Sequence, residues 1–124
     1  MFLDGTKTKF SWILQTGNST KKEFRVHPPA YYSGYKLNVK NDAQSKFIAL
    51  HVGLYWGIGV FIIHDGDMVD VMCDSKEMYD ILNSNQETTD QIISDKINFI
   101  NLFIEQRKLI VKYHLINENS NPAS

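Results

Sequence analysis

The chain has 124 residues, of which 43% are apolar and 22% charged, with a net charge of −1. This is the mix of an ordinary globular domain with enough residues to bury a core, not of a disordered or fibrous chain. Its single cysteine, Cys73, excludes an internal disulfide and points to a reducing, cytoplasmic setting. The first ten residues contain no apolar stretch of signal-peptide length. The longest apolar run, 52–63, is too short to span a bilayer and is broken by three glycines, so no membrane role is expected. Residues 1–50 carry eight Lys/Arg against three acids, and the remainder carries five against eleven. A basic first half attracts phosphate, although the excess falls well below that of a dedicated nucleic-acid binder and also suits a solvated surface.

Read in chain order, 2–5 is the end of a short strand running into Asp4-Gly5. Phe10, Trp12 and Leu14 alternate with Ser11 and Gln15 and predict a strand. "TGNS" (16–19) is a turn, and "KKEFRVH" returns as the second arm of a hairpin. "PPAYYSG" (28–34) reads as a loop, and 35–40 as a strand or an extended approach to a helix. "YYSGY" (31–35) is an exposed-looking aromatic cluster that suits base stacking or a protein contact, though packing over a sheet end is the commoner outcome.

Asn41 or Asp42 is suited to cap a helix. Beyond it, Phe47, Leu50, Leu54, Ile58 and Phe61 recur at helical spacing. Glycines 53, 57 and 59 weaken that pattern, and a strand over 58–64, turning at 65–67, competes with it. Val69 and Val71 mark a further strand. Asp74 stands three residues before Glu77, the spacing of a capping box that would start the next helix. Met78, Tyr79, Ile81 and Leu82 form that helix's buried side. Residues 83–89 are a linker, and Ile93, Ile97, Ile100 and Ile104 mark a longer helix. Residues 108–116 make a last strand, with a polar, frayed tail at 117–124 following a domain of 1–116. The fold class is therefore α/β, a mixed sheet of about five strands with helices on both faces.

Four segments in this order resemble the ribonuclease H fold. "FLDG" (2–5) is similar to its first-strand acid and glycine. "ND" (41–42), leading to "ALHVGL" (49–54), is similar to its first helix. "VDVMCDSKEMYDIL" (69–82) resembles its central strand, Asp-Ser and following helix. "VKYH" (111–114) with "AS" (123–124) has the spacing of its last strand's His and distal Ala-Asp. The resemblance implies a nuclease in which carboxylates from several elements hold Mg²⁺ or Mn²⁺, two cations clamping the attacking water and the leaving oxygen.

Carried over residue by residue, Asp4 and Asp74 take the positions of metal-binding, catalytic acids. The helix acid falls on Lys46 and the fourth acid on Ser124. The family's closing helix and basic handle have no counterpart. His114 matches a position in the last strand. Lys7, Lys9, Asn41 and Lys46 are the expected contacts to nucleic acid. The favoured reading is thus a degenerate ribonuclease H-like domain that binds an RNA–DNA hybrid, other nucleic acid or a protein partner, with weak or no cleavage. An active nuclease that recruits Asp42 or Asp70 beside Asp4 and Asp74, and an unrelated α/β interaction domain, are the alternatives. A Cys–His hydrolase lacks support: nothing places Cys73 at a helix start beside His51 or His64 with an orienting acid, and it reads as a packed apolar residue.

Overall fold

A computed structural model describes residues 1–27 and 39–124. The 28–34 loop, residues 35–38 of the 35–40 segment and the aromatic "YYSGY" lie outside the described residues. Five strands, β1 (Phe2–Gly5), β2 (Lys9–Gln15), β3 (Thr20–Val26), β4 (Met68–Cys73) and β5 (Ile110–Leu115), form one sheet in the order β3-β2-β1-β4-β5. The first three are antiparallel neighbours, while β4 lies parallel to β1 and β5 parallel to β4. Three helices complete the chain: α1 (Asp42–Gly59), α2 (Lys76–Ser84) and α3 (Gln91–Arg107). No helix among the described residues is long and apolar enough to cross a membrane.

The alternation read in the sequence decides the two faces of the sheet. Leu3, Trp12, Val71 and Cys73 point to one side and are fully buried. They share a single core with Phe47, Leu50 and Leu54 of α1, Met78 and Ile81 of α2, and Ile93 and Ile100 of α3. The helices therefore cover one face, not both. The second face is crossed by the C-terminal segment, which packs instead of fraying: Asn121 and Ala123 are buried, and the Ser11 hydroxyl donates to the Ala123 carbonyl at 2.6 Å. A single 3₁₀ turn, Glu118–Ser120, bends the chain into that path.

Asn41 is the cap of α1, its side chain accepting from the Gln44 amide at 2.9 Å. The helix then runs through the glycines to Gly59, so no strand forms over 58–64. Gly53 has a packing reason: a Cβ there would run into Trp12 and Met1, so its absence lets α1 lie close on β2. Phe61, expected on the helix's apolar face, falls past its end in a left-handed conformation (φ 63°) and is exposed. The helical pattern ended one turn too soon to bury it.

Candidate functional site

β1 and β4 are parallel neighbours, so their C-terminal ends lie side by side. Asp4 is near the end of β1, and Asp74 follows Cys73, the last residue of β4. Lys46, in the first turns of α1, reaches both. Its ammonium donates to Asp74 Oδ1 at 2.7 Å and stands 3.6 Å from Asp4 Oδ1. Gly5 permits this, since a Cβ at that position would collide with Ser45, the residue before Lys46. The Asp74 side chain is 2% exposed and that of Lys46 15%. Burial disfavours the Lys46 charge, but the hydrogen bond and field of Asp74, helped by Asp4, outweigh it and hold its pKa above the ordinary lysine value.

The second oxygen of Asp74 is also taken. The Asn121 amide donates to Asp74 Oδ2 at 2.9 Å and to the Leu3 carbonyl at 2.8 Å. Asp74 therefore does not cap α2. Ser75 does, its hydroxyl accepting from the Met78 amide. The capping-box spacing from Asp74 to Glu77 pointed one residue too early.

These residues do not fit a divalent cation. Such an ion needs several oxygens free to converge on it, and here an ammonium already lies between the two carboxylates. Among the described residues no three His, Cys, Asp or Glu side chains cluster as metal ligands. Asp70, an acid that an active nuclease would recruit, is four residues before Asp74, about 13 Å along the strand. It faces His114 instead, Nε2 to Oδ1 at 2.9 Å, in an exposed pair. Asp42 lines a separate cleft with Lys7, Asn41 and Glu77.

Of the residues expected to meet nucleic acid, Lys46 is engaged by the two acids and Asn41 by its helix cap. Lys7 and Lys9 are exposed, and the Lys9 ammonium sits 5.8 Å from the centre of the Phe24 ring. Ser124 lies in the shallow pocket beside Asp4, the neighbourhood that the resemblance assigned to the fourth acid. Cys73 is buried, and desolvation, aided by Asp74, pushes its thiol up to about 12, too high for a nucleophile. Sequence reasoning missed Asn121 and Ser75. An Asn before a proline and a serine before a helix were visible signals, but nothing local showed what Asn121 would reach.

No family model matches the chain, and no curated protein does. Solved structures do. RNase H1 of the halophilic archaeon Halobacterium salinarum NRC-1 is 13% identical at a TM-score of 0.69, the match covering 94% of this chain and 78% of that one. The N-terminal RNase H domain of Rv2228c from Mycobacterium tuberculosis is 10% identical at 0.74, covering 99% and 89%. LC11-RNase H1, solved in complex with an RNA/DNA hybrid, is 11% identical at 0.67, covering 95% and 80%. Five mixed strands with three helices, superposing over nearly the whole chain on these structures, establish that it has a ribonuclease H-like fold.

Proposed function

We propose that the chain is a degenerate ribonuclease H-like domain that binds nucleic acid with weak or no cleavage. One observation carries this reading: the Lys46 ammonium lies between Asp4 and Asp74, 3.6 Å and 2.7 Å from their oxygens. A Mg²⁺ or Mn²⁺ ion seated there would have to displace a half-buried, paired cation or meet its repulsion. Were an ion held by Asp4 and Asp74, it would supply the activation of water that phosphodiester cleavage requires. With Lys46 in place, both acids serve to hold α1 against the sheet. Nucleic-acid binding is inferred from the fold, from the basic first half of the chain, and from a neighbour solved with an RNA/DNA hybrid. A reducing, cytoplasmic setting belongs to the same proposal and agrees with a single buried cysteine.

The test is incubation of the full chain with a labelled RNA–DNA hybrid and Mg²⁺ or Mn²⁺. The expected result is binding that weakens as salt rises, because phosphate contacts release counterions, with no cleavage above background. Cleavage that disappears in Asp74→Asn would overturn the reading. A connector that binds a protein is the second reading, favoured by exposed Tyr55, Phe99 and Leu102 on α1 and α3. It gains if no nucleic acid binds at low salt.

A further inference from the structure

Of the nucleic-acid contacts expected from the sequence, Lys46 and Asn41 are engaged within the fold, while Lys7 and Lys9 stay exposed. Among the described residues, two cations without an ion pair, Lys9 and Lys22, share one face of the β2–β3 hairpin. By register, Ser11 faces Phe24, Ile13 faces Lys22 and Lys9 faces Val26, all on the sheet face without helices. Lys9 and Lys22 therefore flank Phe24 on one surface. Among the described residues neither lysine has a carboxylate within ion-pair distance, and Lys22 instead donates to the Pro122 carbonyl at 3.2 Å, keeping its charge. Glu23, the lone acid of β3, is bridged by Arg25 at 2.8 Å. Phe24 is 53% exposed on an edge strand, where a large apolar ring gains little from folding.

Beside this ring is a shallow pocket of about 160 Å³, lined by Asp4, Thr6, Lys9, Ser11, Phe24 and Ser124 among others. Asp4, on its wall, shares Lys46 with Asp74, and Lys9 and Lys22 bring two positive charges to the same pocket. We propose that Lys9, Lys22 and Phe24 form a docking groove for single-stranded nucleic acid, with one base stacked on Phe24 and the flanking phosphates on the two lysines. The proposal rests on the nucleic-acid reading above and says where the strand is held. A single strand fits better than a duplex for a steric reason. In a duplex both faces of each base are covered by neighbours, so a side-chain ring stacks only on a base that is already free. The pocket is also too small for a base pair.

The experiment measures anisotropy of a labelled single-stranded hexanucleotide, and of an RNA–DNA hybrid of the same sequence, across a salt series. The wild type is expected to prefer the single strand. Phe24→Ala should weaken that binding about tenfold, whereas Phe24→Tyr keeps a ring and the affinity. Replacing Lys9 and Lys22 together with Gln should reduce the log–log salt slope by about 1.4. All three residues are solvent-facing, so the melting temperatures of these variants should match the wild type within a few degrees. Single-strand binding unchanged in Phe24→Ala, or a salt slope unchanged in the double variant, overturns the groove while leaving nucleic-acid binding intact. Binding of neither ligand at low salt overturns the proposed function itself.

Discussion

Asp74 keeps its carboxylate where only 2% of the side chain meets solvent, and two donors make that tolerable. Lys46 satisfies one oxygen and Asn121 the other. Breaking a buried pair is costly because the surviving charge is stranded. Asp74→Ala leaves the half-buried Lys46 ammonium with only the 3.6 Å contact to Asp4, so the variant should lose about 2–3 kcal/mol in denaturant unfolding. Ser75→Ala removes only the cap of α2 and should lose about 1 kcal/mol. The opposite ranking would return capping to Asp74. Sequence alone could not rank these two residues. Asp and Ser both cap helices, and the partners that draw Asp74 away are 28 and 47 positions distant. Local spacing carries no information about such contacts.

At the scale of elements, α1 and α3 meet through rings. His51 of α1 stacks on Phe99, at 5.0 Å, and Phe103, at 5.5 Å, of α3, and its Nδ1 is buried without a hydrogen-bond partner among the described residues. Desolvation, with a smaller contribution from Lys96, lowers its pKa to about 4. In the unfolded chain His51 takes up a proton near pH 6.5. Between that pH and about 4 the unfolded state therefore binds more protons than the folded one, and stability falls as pH falls. Burial also lowers the pKa of His27, which lies beside the Ser45 hydroxyl, and acts in the same direction. Melting temperatures measured from pH 7 to pH 4 should drop in the wild type and drop less in His51→Phe, whose ring keeps the stack without titrating. Equal pH dependence in both would contradict this packing. The helical period of α1 was legible despite its glycines, because Phe47, Leu50 and Leu54 fill one stripe. The reason for Gly53 was not, since it depends on how closely Trp12 approaches.

For the whole molecule, the order of strands and helices carried the fold, since a parallel crossover leaves few ways to arrange these elements. What the order could not show is which sheet face stays free of helices, or that the largely polar segment 117–124 would cross it. Asn121 is the hinge of that arrangement, linking the Leu3 carbonyl, Asp74 and, through Ala123, the Ser11 hydroxyl. The tail, β1, β4 and α1 thus converge on one lysine-centred ion pair, and the central claim is that Lys46 stands there in place of a metal ion. Titration of the wild-type chain with Mn²⁺, followed by electron paramagnetic resonance of the free ion, tests this directly. The account predicts that the free Mn²⁺ signal rises in proportion to the metal added, with no stoichiometric site, and that Lys46→Glu creates one. A stoichiometric site in the wild type that Asp74→Asn abolishes would contradict it.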